Sequence, residues 1–219
     1  MKIATWNIER LKHKSELNKI INLIEEQDAD ILVLTETDSR IILPNFKYRI
    51  DTPKLKEIEP SNYLETENRV SIFTNYEIEQ QFETFDKYTS LCIELKTEVG
   101  NLKVYGTIIG IYGNRNENFR LDLAKQIDDF ERLSKDNNLC IVGDYNISFA
   151  DNYFFTNWGR NELNKSFNRN NLDIISKQRE KCIDHIAISK PLTVEKQICI
   201  NEWNQDFKLS DHKGIMAHL

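Results

Sequence analysis

The chain has 219 residues, with 35 acidic against 29 basic side chains for a net charge of −6, 40% hydrophobic and 10% aromatic residues, and only seven Gly and four Pro. That length and apolar content suit one large domain, residues 1–219, with a sizeable core, and they exclude collagenous, low-complexity and repeat architectures. No run approaches the roughly eighteen apolar residues of a membrane span, the opening MKIATWNIERLKHK lacks a signal peptide's apolar stretch, and the four cysteines form no Cys-x-x-Cys pair, so the expectation is a cytoplasmic monomer with buried core thiols and no membrane partner.

In chain order, residues 2–8 (KIATWNI) read as a first strand. Ser15 is placed to cap a helix whose apolar positions Leu17, Ile20, Ile21 and Ile24 keep helical spacing. Asp30 opens a buried strand, ILVLTE. Residues 41–68 hold three of the four prolines and read as loop, with a short strand near Tyr48. From Arg69 the pattern becomes strand after strand: 69–75, 90–97, and 101–111. The last two are joined by a turn at 99–101, and the alternation of Leu91, Ile93 and Leu95 argues for an antiparallel hairpin. A helix over about 116–134 carries Phe119, Leu123, Ile127, Phe130 and Leu133 on one face. NLCIVGD follows as a strand, then a helical stretch after Asp151, strands at 183–188 and 194–200, and a last strand GIMAHL. Strands outnumber helices and much pairing is local, which predicts an α+β or mixed α/β class with two sheets.

Five of these strand ends carry acids, amides or histidine. Asn7 and Glu9 follow the first, Glu36 ends the second, and Asp144 and Asn146 end the strand at 139–143. Asp184 sits among apolar residues in CIDHIAI, and Asp211 and His212 precede the last strand. Each has an ordinary reading as a turn or cap. Asp184 is the hardest to treat so, because a carboxylate between buried apolar residues needs a partner. His13 lies on a basic stretch, and alternation makes His185 and His218 ordinary strand positions.

WNIE, LTET at 34–37, GDYN at 143–146, IDHI around Asp184 and SDHKG at 210–214 stand in the order found in the endonuclease/exonuclease/phosphatase superfamily, and the sequence resembles that superfamily from Trp6 to His212. The group includes pancreatic-type deoxyribonucleases, abasic-site endonucleases, sphingomyelinases and inositol polyphosphate 5-phosphatases. The resemblance implies a four-layered α/β sandwich, with two mixed sheets face to face and helices outside. It also implies a divalent metal, usually Mg2+ with Mn2+ as a substitute, and hydrolysis of phosphate esters. By matching motif, Glu36 is the expected main metal ligand, with Asn7 and Glu9 beside it and Asp211 near. Asp144 is expected to activate water, Asn146 to orient the phosphate, and His212, paired with Asp184, to contact the scissile phosphate.

These residue types suit that chemistry. Mg2+ prefers oxygen ligands and keeps several waters, so one or two carboxylates suffice. Donors such as His212 and Asn146 act where charge gathers on the phosphoryl oxygens. Taking Glu9, Glu36, Asp144, Asp184 and Asp211 out of the 35 acids leaves 30 against 29 basic residues. The net acidity therefore belongs to the site and does not exclude nucleic acid, the expected substrate. A small phosphorylated metabolite is the alternative, and a degenerate binding module a further one.

The pattern departs from the family in places. Gly106-Thr107-Ile108-Ile109 puts Ile108 where many relatives carry histidine; either Tyr112 and Asn114 replace it in contacting substrate, or metal-bound water assists the leaving group. Glu9 is longer than the commoner residue there. Arg10, Lys12 and Lys14 after the first motif, and Tyr153, Phe154, Phe155 and Trp158 after GDYN, could grip a substrate. The aromatics read equally as core, and Arg115 and Arg160 as phosphate clamps or solvated charges.

Overall fold

Two six-stranded sheets lie face to face in the computed structural model, which describes residues 1–219. The first is built from β1 (Lys2–Asn7), β2 (Ile31–Asp38), β3 (Tyr48–Asp51), β4 (Glu67–Thr74), β11 (Cys199–Trp203) and β12 (Gly214–His218), in the order β11-β12-β1-β2-β4-β3. The second takes β5 (Glu77–Phe82), β6 (Ser90–Thr97), β7 (Gly100–Ile108), β8 (Leu139–Asp144), β9 (Leu172–Ile174) and β10 (Asp184–Ser189), in the order β5-β6-β7-β8-β10-β9. Only β1 with β2 and β7 with β8 run parallel; the other pairs are antiparallel, so both sheets are mixed.

The layering follows from side-chain alternation. In β2, Ile31 and Val33 point into the space between the sheets, where they meet Ile3, Val70, Val104, Val142 and Ile186. Leu32 and Leu34 point the other way and pack with Trp6, Ile20 and Ile24 under α1 (Leu17–Glu25). In β8, Cys140 and Val142 face the sheets' common interior, while Leu139 and Ile141 lie under α2 (Asn118–Leu133) and α3 (Asn157–Arg169) with Phe119, Phe130 and Phe167. Central strands covered on both faces must be apolar throughout, which is why ILVL and LCIV read as unbroken runs. The result is helix, sheet, sheet, helix: the expected four-layered sandwich.

Several local readings are corrected. Ser15 lies in a short 3-10 turn and does not cap α1; Glu16 holds that position, with no side-chain cap bond. The strand expected at 194–200 forms at Cys199–Trp203, so Cys199 lies on an edge strand and is exposed, while the other three thiols are buried as expected. Two strands lie outside the expected set. β5 (EIEQQF) is an edge strand with mostly exposed side chains, and β9 has three residues.

No helix is long and apolar enough to cross a membrane. For the site, the important contact is between the sheets: β1 packs across the interior on β8 and β10. That brings the end of β1 to the end of β8 and the start of β10.

Candidate active site

Asn7 ends β1 and Asp144 ends β8, while Asp184 begins β10 directly opposite Asp144 in the antiparallel register. Gly143 makes this approach possible. Its φ is +141°, and a Cβ there would stand 2.0 Å from the Thr107 carbonyl oxygen of β7. Any other side chain would push β8 off β7 one residue before Asp144. Asn7 Nδ2 donates to Asp144 Oδ2 at 3.1 Å, and the Asn146 backbone N–H donates to Asp144 Oδ1 at 2.8 Å. The carboxylate is thus held from both sides in a buried position.

The loop before β12 is fastened to the opposite end of the chain. The Ser210 hydroxyl donates to the Asn7 carbonyl at 2.6 Å and accepts from the His212 N–H at 3.1 Å. The His212 carbonyl accepts from Trp6 Nε1 at 3.0 Å and from Asn204 Nδ2 at 2.7 Å. These bonds aim the His212 ring so that Nδ1–H donates to Asp184 Oδ2 at 2.6 Å. Burial alone would lower the His212 pKa, but the charges of Asp184 and Asp144 outweigh it and hold the ring at about 10. His212 is therefore a cation at neutral pH. Burial pushes Asp144 up to about 7; the His212 cation opposes this shift and the Asp184 charge reinforces it.

Asp144, Asp184 and His212 have ligand-type atoms within 4.8 Å of one another. A doubly protonated imidazole offers a cation no lone pair, so a charged His212 would not itself be a ligand. Glu36, the acid expected to hold a metal, lies near the end of β2, next to β1 in the same sheet. Glu36 has φ +42° and interrupts the β2–β4 ladder between the pairs Thr35↔Val70 and Thr37↔Asn68, which sets it opposite Arg69. Its carboxylate lies 3.8 Å from Arg69 Nη1 and 3.8 Å from Arg10 Nε, beyond hydrogen-bond length in both cases. Arg10 reaches it from a left-handed turn, Glu9 to Leu11, in which all three residues have positive φ. Both guanidinium groups lie over the Tyr63 ring, at 5.3 and 5.5 Å, and Arg69 Nη2 donates to the Tyr63 hydroxyl at 2.8 Å. Asp184 Oδ1 is buried with no hydrogen-bond partner. An all-oxygen set with a free carboxylate fits a hard divalent cation.

The other expected residues divide. Glu9 is engaged, accepting from Lys12 Nζ at 2.6 Å and from the Asp211 N–H at 2.9 Å, so it clasps the first turn to the 211 loop. Burial raises its pKa, but these donors outweigh it and the net shift is downward. The Asp211 side chain stands out to solvent, with Oδ1 3.5 Å from His212 Nε2. Asn146 Nδ2 is taken up by the Ile109 and Gly110 carbonyls at 3.0 and 3.2 Å, which makes the residue a strut under Asp144. Asn114 joins it: buried, it donates to the Asn146 carbonyl at 2.6 Å, with its own Oδ1 unpartnered. Tyr112 and Trp158 stay outside this network. Tyr112 is 61% exposed, and Trp158 packs edge-on against Phe119 with ring centroids 6.4 Å apart. Ile108 is buried beside Asp144 in the β7–β8 register. Arg160 donates to the Ser148 and Asp151 carbonyls and ties down a loop. His185 is a satisfied core residue, its rings nitrogens bonded to Ser176 Oγ and the Ile147 carbonyl at 3.0 Å each.

Sequence reasoning missed Arg69, Tyr63 and Asn204. For Arg69 a signal existed, a charge opening a buried strand, but its meaning depends on the register that sets it against Glu36.

Asn7, Asp144, Asp184 and His212 thus stand together at the strand ends of a two-sheet sandwich. The sequence matches the profile of the Endonuclease/Exonuclease/phosphatase family over residues 4–212, and the chain belongs to that family. No curated protein sequence matches it. Among solved structures it is similar to an AP endonuclease from Archaeoglobus fulgidus (TM-score 0.75, 15% identity, covering 100% of this chain and 99% of that one). It is also similar to the 3′ phosphatase NExo from Neisseria bound to product DNA hairpin (TM-score 0.71, 16% identity, 100% and 99% covered). A third is a beta toxin from Staphylococcus aureus with bound magnesium ions (TM-score 0.63, 16% identity, 99% and 98% covered). At these identities the likeness concerns the fold.

Proposed function

We propose that this protein is a divalent-metal-dependent phosphodiesterase that hydrolyses nucleic acid by attack of water on phosphorus. The observation that carries the reading is the hydrogen-bonded set of Asn7, Asp144, Asp184 and His212 at the edge of the sandwich. The DNA named with the Neisseria structure and the AP endonuclease likeness support nucleic acid as substrate.

In this scheme Asp144 takes the proton from the attacking water, and Asn7 and Asn146 keep its carboxylate aimed. His212, charged and oriented by Asp184, donates Nε2–H to a phosphoryl oxygen, where the transition state gathers charge. The bond to the leaving alcohol breaks, and that oxygen is reprotonated from solvent. Glu36 would hold the metal, with Asp211 near, while Asn7 Oδ1 accepts from the Glu9 N–H at 2.9 Å; the metal when bound supplies charge neutralisation at the phosphate. Mg2+ suits the oxygen donors, with Mn2+ as substitute.

A second reading, a phosphomonoesterase for a small phosphorylated compound, draws on the two arginines beside Glu36, since a monoester's extra charge is well met by guanidinium groups. The test compares single-stranded, duplex and abasic-site DNA and RNA with sugar and inositol phosphates, with Mg2+ and with EDTA. Cleavage of a nucleic acid that EDTA abolishes is the expected result. Preference for a monoester with no nucleic acid cut would replace this reading with the second.

A further inference from the structure

Beside the relay, the segment that follows β7 walls a cavity of about 220 Å³. Its rim carries Phe85, Tyr112 and Leu121, which are 45, 61 and 61% exposed. They are three of the eight large apolar side chains that stand exposed on the chain, so apolar exposure is concentrated here. Asp86 and Asp122 line the same cavity, and no lining side chain is cationic. Gly110 joins the cavity to the site: its carbonyl accepts from Asn146 Nδ2 at 3.2 Å, and its N–H donates to the Asp122 carboxylate.

We propose that this cavity receives one nucleobase of the substrate, the base adjoining the scissile phosphate, and that it favours bases with an exocyclic amino group. The inference rests on the nucleic-acid reading above and adds a subsite to it. Size sets the first limit, because the volume lies below the roughly 300–1,000 Å³ of pockets for drug-sized ligands and suits a single planar ring system. Charge sets the second. Two carboxylates with no cation repel a phosphate, but they accept hydrogen bonds from ring N–H and amino groups. Phe85 and Tyr112 supply aromatic surface for stacking, an interaction every base can make. Contiguity sets the third, since Gly110 lies one hydrogen bond from the strut that holds Asp144.

The test separates binding from turnover. A dinucleotide carrying 2-aminopurine is titrated by fluorescence in EDTA buffer with the wild-type protein, Tyr112→Ala and Phe85→Ala, each checked for folding by circular dichroism. Cleavage of oligonucleotides that differ only in the base beside one susceptible phosphate, or lack it, is measured in parallel with Mg2+. Quenching by the wild type that weakens at least tenfold in both variants, together with faster cleavage beside adenine, cytosine or guanine than beside thymine or an abasic residue, supports the subsite. Binding and cleavage indifferent to base and to both substitutions would overturn it, even if the protein proves an active nuclease. Base binding lost in the variants with no cleavage of any nucleic acid would retain the pocket and discard the phosphodiesterase reading.

Discussion

The two halves of the site are built differently. Around Asp144, Asp184 and His212, hydrogen bonds of 2.6–3.1 Å lock buried groups into one geometry. Around Glu36 the carboxylate is partly exposed and meets two guanidinium groups only at 3.8 Å. In the proposed scheme the first half moves protons, which needs its distances fixed beforehand, since hydrogen-bond geometry decides proton transfer. In the same scheme Glu36 holds a hard cation, which needs open lone pairs, so looseness at Glu36 would be the complement of tightness at Asp144.

The comparison can be broken most decisively at the relay. His212→Ala should lower kcat by roughly 10²–10⁴-fold, and Asp184→Asn, which orients the same ring, should add little in the double variant. Rate losses that multiply would mean that the two residues act separately. Glu36→Gln should weaken Mg2+ binding by about 10–100-fold in calorimetry while leaving the circular dichroism spectrum unchanged, because its position already interrupts the ladder. An unchanged affinity would move the metal elsewhere. Arg10→Gln removes one positive charge beside Glu36 and should tighten metal binding by about fivefold, on the order of 1 kcal/mol. Weaker binding instead would show that Arg10 positions the carboxylate rather than competing for it.

Two histidines sharpen the contrast within the buried half. His185 follows Asp184 in β10, and burial lowers its pKa to about 4, against about 10 for His212. A folded value below the unfolded one near 6.5 means that stability is fully present above pH 6.5 and declines as pH falls towards 4. The urea midpoint should drop over that window, with His185 contributing about 3 kcal/mol. His212 acts with the opposite sign, and its contribution is lost as pH rises towards 10. His185→Gln should flatten the acid limb; a limb of unchanged slope would remove His185 as its cause.

Much of this was legible in the sequence where both faces of a strand are covered. The runs ILVL and LCIV announce β2 and β8 because no position in them meets water. β5 escapes for the converse reason: at the sheet edge EIEQQF keeps mainly polar, exposed side chains, and its pairing partner alone makes it a strand. Asp144, Asp184 and His212 stood out in the sequence because acids and histidine at strand ends break the local pattern. Arg69 and Asn204 were not, since each acquires its role from a contact made by a distant segment, Glu36 in one case and the His212 carbonyl in the other.

The bond from Ser210 to the Asn7 carbonyl spans 203 positions, and β1 lies against β12 along its length. Contacts of such separation form slowly, because a long loop must close before they bring any stabilisation. A nascent chain that has released only its first two hundred residues has Asn7, Glu36, Asp144 and Asp184 but no partner for β1 on that side and no imidazolium. The bonded set of Asn7, Asp144, Asp184 and His212 is therefore completed only when the last strand is in place.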